Sequence, residues 1–237
     1  MDGRISGKKK VEIEQNSPDI IDIVENLTIP VTVLRCDYSK ASHMQYLFQI
    51  FYRLNSGGNK LYNQEIRNCI FQGNFNTLLK DLARSSDWLN ANHITKEKIE
   101  TSRFNNEERI LRFFAFYYEL DQYKGKLASF LNEFMRTHKN LTEDVKNEYA
   151  SLLSRSLKIA MEIEKLSTSK NVFEAVLIGI AANIGALETK GVDVINKLYK
   201  DVERDENFSE EALKEGLGSL EKVKNRINAA KIIFAHG

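Results

Sequence analysis

Only two prolines occur in the 237 residues, at Pro18 and Pro30, and their scarcity limits the fold more than any other feature of the chain. Proline fixes φ and lacks an N–H, so it ends helices where it stands. Beyond Pro30 nothing of that kind interrupts the chain, and apolar residues recur at helical spacing almost to its end. The densest case follows Asn105. Glu107 and Glu108 suit the positive end of a helix, and Ile110, Leu111, Phe113, Phe114, Phe116, Tyr117 and Tyr118 then crowd nearly every side. A platform for stacking bases exposes its rings on strands or loops, so helical crowding predicts that these rings are packed inside.

Further helices are predicted over 125–138 (Leu127, Phe130, Leu131, Phe134), from Thr142 to about Leu166, over 172–187, and over 192–201. Gly179 and Gly185 in the third of these suggest close helix crossings. A helix is expected over 74–90, with Trp88 near its end, followed by a polar linker over 91–105. Ser209, with Glu210 and Glu211, predicts the start of the last helix, whose outer face would carry Lys222, Lys224, Arg226 and Lys231. That charged face is a weak match for a phosphate-facing surface and an ordinary solvated one.

The N-terminal part reads differently. Residues 1–16 suggest a tail or an edge strand, with Val11 to Glu14 alternating, and Ser17, Pro18 and Asp19 predict a helix that buries Ile20, Ile21, Ile23 and Val24. Leu27 to Cys36 is rich in β-branched residues and predicts a strand, placed at an edge by Pro30. The expected fold is therefore mainly α. It is a multi-helix domain over 39–237 preceded by a strand-bearing segment over 1–38.

Composition narrows the function. A balance of 42% hydrophobic and 28% charged residues is that of a globular protein, and a formal charge of +1 gives no basic field, so any DNA contact must come from a local patch or another subunit. No apolar run is long enough to cross a bilayer, and the start lacks a signal-peptide core, so a cytoplasmic protein is expected. Cys36 and Cys69 have no metal-ligand spacing, and His43, His93, His138 and His236 are scattered. No nucleophile–base pair or phosphate loop is legible either. Catalysis by this chain alone is not expected, and no cofactor can be named.

The most specific stretch is 50–68. An apolar helix face through Phe48, Phe51 and Leu54 gives way to Asn55, Ser56, Gly57, Gly58 and Asn59, which form a turn, and a second helix restarts near Asn63 with Glu65, Arg67 and Asn68 close behind. Phe51 to Asn55, then Arg53-Leu54-Asn55 with Gly57-Gly58, then Gln64-Glu65-Ile66-Arg67-Asn68 leading to Gly73, Phe75 and Asn76, resembles the domain that forms the N-terminal part of GmrSD-type restriction endonucleases. The likeness continues more weakly at residues 110–117 and 172–181. Members of that family also carry a ParB-like α/β core whose Asp-Gly-Gln-Gln-Arg motif is tied to nucleotide hydrolysis. Here Asp2, Gly3 and Arg4 echo it without the glutamines.

The resemblance thus implies the C-terminal, helical portion of a family member, through truncation, a split gene or a cloned fragment, with the N-terminal strand left from that core. It implies a role in modification-dependent restriction or anti-phage defence, with DNA and nucleotide met through a complementing ParB-like core or subunit and a nuclease as partner. Carried over residue by residue, Phe51 belongs to the motif wall, Asn55 hydrogen-bonds a ligand, and Arg53 offers a forked cation to phosphate. The N–H groups about Gly57 and Gly58 form an anion-binding concavity, and Glu65, Arg67 and Asn68 complete or orient the site. The residues themselves allow another reading, in which the turn merely ends a helix and Glu65 and Arg67 pair with neighbours. A truncated relative acting as a protein-binding or regulatory module is the alternative function.

Overall fold

The computed structural model describes residues 4–28, 31, 33, 35–37, 40–54, 61–95, 98 and 104–237. Among them every regular element is helical, and the protein is mainly α. The chain divides into two units, Met1–Met44 and Gln45–Gly237.

In the first unit, α1 (Lys10–Asn16) and α2 (Pro18–Glu25) pack on each other. The tail or edge strand expected over 1–16 is replaced by α1, because charges one turn apart favour a helix there. Lys10 Nζ lies 3.3 Å from a Glu14 carboxylate oxygen, and the Lys9 N–H donates to Glu12 Oε2 at 3.2 Å. Proline opens α2 as expected. The helix does not bury its apolar side, however, since Ile23 and Val24 are exposed and no residue of either helix is buried.

The strand expected over 27–36 is also absent from its described members, Leu27, Thr28, Val31, Val33, Arg35 and Cys36. A strand needs a neighbour for its ladder, and the described residues contain none. Val31 and Val33 are 79% and 78% exposed. Pro30 lies outside the described residues.

α3 (Ala41–Leu54) runs into the second unit, which continues with α4 (Asn63–Ile70), α5 (Asn74–Ala83), α6 (Ser86–Ala91), α7 (Asn105–Glu119) and α8 (Leu127–Thr137). It ends with α9 (Glu143–Ala160), α10 (Lys170–Ala182), α11 (Ile184–Leu187), α12 (Val192–Arg204) and α13 (Leu220–Phe234). The centre is α10. All ten residues from Val172 to Ala181 are buried, and the helix packs against α7, α9 and α13. At Gly179 a side chain has no room, since an added Cβ would stand 2.8 Å from the Ala230 carbonyl oxygen of α13. Gly185 faces open space, so the crossing anticipated for both glycines occurs only at Gly179.

α7 supplies the aromatic half of the core. Ile110, Leu111, Phe113, Phe114 and Phe116 are buried, Phe114 stacks on Tyr149 of α9 at 4.7 Å, and Phe75 of α5 meets Phe134 edge-on at 5.8 Å. Burying each such ring stabilises the fold by roughly 2–3 kcal/mol.

Two helix boundaries differ from expectation for local reasons. The helix predicted over 74–90 is two helices, because the Ser85 hydroxyl donates to the Leu82 carbonyl at 2.7 Å and accepts from the Trp88 N–H at 3.3 Å, capping α6 afresh. The last helix starts at Leu220, not Ser209. Ser209 opens only a turn that Gly216 ends at φ +61°, and Ser219 then caps α13 through the Lys222 N–H. Lys222 Nζ turns back to the carbonyls of Ala212 and Glu215, at 3.1 and 2.7 Å, and does not stand on an outer charged face.

Candidate functional site

The helix carrying Glu65, Arg67 and Asn68 is held from both ends. At its start the Tyr62 N–H donates to Glu65 Oε2 at 2.7 Å, which places an acid where the helix dipole favours it. At its end Phe71 packs on Phe48 of α3, ring centroids 5.7 Å apart. The motif residues therefore divide by depth. Phe51 is half-buried, Arg53 is exposed and Glu65 is half-buried, whereas Gln64, Arg67 and Asn68 are buried. Asn55, Gly57 and Gly58 lie outside the described residues.

Arg67 is the centre of a polar network inside the second unit. Its Nη1 donates to Glu108 Oε2 of α7 at 2.9 Å and to Gln64 Oε1 at 3.1 Å, and its Nε donates to Asn132 Oδ1 of α8 at 2.8 Å. Burial lowers its pKa, and the charge and hydrogen bond of Glu108 offset this only in part. Gln64 Nε2 goes on to Asn68 Oδ1 at 3.1 Å, and Asn76 Nδ2 reaches the Asn68 carbonyl at 3.4 Å. The donors at Asn68 Nδ2 and the acceptor at Asn76 Oδ1 are buried without partners. With 1% of its surface exposed, Arg67 is a brace joining α4 to α7 and α8. Arg67 thus pairs with neighbours on two other helices, as the second reading of these residues has it, and Asn68 is buried beside it.

A second charged cluster carried no signal beyond isolated letters in an aromatic helix. Arg112 of α7 grips Glu174 of α10 with both edges of its fork, Nε to Oε2 at 2.5 Å and Nη2 to Oε1 at 2.8 Å. Burial pulls the Arg112 guanidinium down, but the charge and hydrogen bonds of Glu174, joined by Glu108 and Tyr123, leave it above its ordinary value. Arg226 of α13, expected on an outer face, is instead 1% exposed. Its Nη2 donates to the Leu217 carbonyl at 3.3 Å while its Nε has no partner, and burial lowers its pKa. Arg109, one turn before Arg112, lies over two rings, its guanidinium carbon 5.1 Å from the centroid of Trp88 and 5.2 Å from that of Phe173. Burial lowers its pKa to about 10, against the pull of Glu174 and with the push of Arg112. The only signal that could have separated these arginines from surface ones is their i, i+3 spacing on a helix with no solvent face to spare.

No group of three or more His, Cys, Asp or Glu side chains among the described residues could hold a metal ion. No described helix is long and apolar enough to cross a membrane. No family model, no curated protein and no solved structure matches the chain.

Proposed function

We propose that this chain is the helical part of a GmrSD-like modification-dependent restriction or anti-phage defence protein. In this reading it contributes one wall of a nucleotide- or DNA-sensing pocket whose remainder is a ParB-like core bearing Asp-Gly-Gln-Gln-Arg, and a nuclease partner cuts. The observation that supports it is how the motif helix is mounted. Arg67 spends its donors on Glu108, Gln64 and Asn132, so α4 is fixed to α7 and α8 while Arg53 and Tyr62, on either side of 55–60, remain at the surface. A helix held rigidly next in sequence to the motif is what a positioned binding segment requires.

The test is complementation. The chain alone is expected to hydrolyse no nucleoside triphosphate. Mixed with a ParB-like core segment containing Asp-Gly-Gln-Gln-Arg, it is expected to associate and to give turnover that Arg53→Ala lowers at least about tenfold. Absence of both association and turnover in the mixture would end this reading.

One observation favours the alternative, a non-catalytic module that binds another protein. Ile23, Val24, Leu27, Val31 and Val33 expose apolar surface close together in sequence. Association that persists without any gain in turnover is the result that selects it.

A further inference from the structure

Beside α7 and α10, away from the 50–68 motif in sequence, lies a cavity of about 310 Å³ whose wall includes Asn92, His93, Arg109, Lys165, Thr168 and Phe173. Its size falls within the range of small-molecule sites. What distinguishes it is the state of Arg109. A guanidinium stacked on rings uses its faces, and its five N–H donors point outward in the plane and still need acceptors. No oxygen among the described residues accepts from Arg109, because Glu174, the carboxylate that pulls on it, is gripped at both oxygens by Arg112. A half-buried cation held against two rings and left without an acceptor is organised for an anion that the chain does not itself supply.

The rest of the wall agrees in sign. Lys165 adds a cation, and Asn92, His93 and Thr168 add short polar groups. Glu164 is the opposing carboxylate on the wall, so cationic groups outnumber anionic ones there. Ser169, the residue before α10, makes no side-chain hydrogen bond to the helix, whose first turn carries no acid, so the positive end of α10 is not neutralised locally. A second donor nearby is also unexplained, since the Trp88 indole N–H is buried without a partner.

We propose that this cavity binds a small organic molecule through a phosphate-type oxyanion, with the Arg109 fork as its recognition element and the rings of Trp88 and Phe173 keeping that fork in place. The bidentate geometry of guanidinium with such an anion supplies orientation as well as charge. Phe173 and Ile163 on the wall give the organic body an apolar surface.

Trp88 is the single tryptophan of the chain and lies against the Arg109 guanidinium, so its emission reports on that group. The experiment titrates inorganic phosphate and phenyl phosphate into the whole chain at ionic strength held constant with chloride. Both are expected to change Trp88 emission saturably and to raise Tm, phenyl phosphate at lower concentration. Arg109→Lys, which keeps the charge and loses the fork, is expected to weaken the response at least about tenfold. Thr168→Asp, an exposed wall position, is expected to abolish it without affecting the fold. No saturable change with either probe, or an undiminished response in Thr168→Asp, overturns the proposal. If Arg109→Lys does not fold, the wild-type titration and Thr168→Asp still decide.

Discussion

Arg67 and Glu108 are 41 residues apart and meet at 2.9 Å, with the arginine 1% and the glutamate 30% exposed. The carboxylate keeps access to water and the guanidinium does not, so the two partners are unequal in what their loss costs. Arg67→Leu removes three hydrogen bonds at once and leaves Gln64 and Asn132 short of a donor. It is expected to cost about 3 kcal/mol, which for a chain of this size lowers Tm by roughly 6–12 °C. Glu108→Gln keeps an acceptor and is expected to cost no more than about half as much. Thermal unfolding followed by circular dichroism compares the two, and equal losses would contradict this asymmetry.

Glu107, beside it on α7, gives a pH dependence of definite sign. Its Oε2 is buried without a partner, and burial raises its pKa above the ordinary 4.5 against a hydrogen bond from its own backbone and the weaker pull of Arg84 and Lys80. A raised acid binds its proton more tightly in the fold, so stability is greatest below the ordinary value and declines as pH climbs through the raised one. Glu107→Gln cannot ionise. Its Tm is expected to exceed that of the wild type at pH 7 by about 2–4 °C, with the difference shrinking to nothing or reversing near pH 4. A difference independent of pH would show that Glu107 is not the titrating group.

Among the described residues Glu174 is the only acid gripped by Arg112, and it also attracts Arg109 and Arg226. Glu174→Gln therefore leaves three cations close together in the interior. It is expected to be the most damaging of these changes, about 3–5 kcal/mol, and partly rescued by Arg112→Met in the same chain. Chemical denaturation of the single and double variants measures the rescue, and strict additivity would deny the coupling.

The two glycines near the end of α10 should respond in opposite directions to alanine. At Gly179 the new Cβ meets the backbone of Ala230 and cannot be relieved by a side-chain rotation, so a loss of about 1–3 kcal/mol is expected despite the gain of up to about 1 kcal/mol in helix propensity. At Gly185 nothing stands within 4 Å, and alanine is expected to be neutral or slightly stabilising. Matching changes at both sites would remove the close crossing as the cause.

The helical nature of the chain and the burial of Phe113, Phe114 and Phe116 were legible because they follow from spacing along one element. Three other features were not. The work done by Arg67 depends on Glu108 and Asn132, distant in sequence, and an i, i+3 pattern says nothing about partners on other helices. Arg226 reads as a surface residue until α10 is seen to need a cover on that side. The strand expected over 27–36 rested on β-branched residues in rough alternation, and β propensity is a preference for a packed, paired surface that the described residues do not provide. At the candidate site the sequence showed a helix ending near Leu54 and another starting at Asn63, but depth, which sorts Arg53 from Arg67, appears only after folding.

The contact of Gly179 with Ala230 also bears on how the chain is made. During synthesis α10 leaves the ribosome well before α13, so a helix with an almost unbroken apolar surface must wait for the segment that covers it. In that interval the nascent chain is open to chaperones and to aggregation, and synthesis halted short of α13 should deliver a sticky, protease-sensitive product.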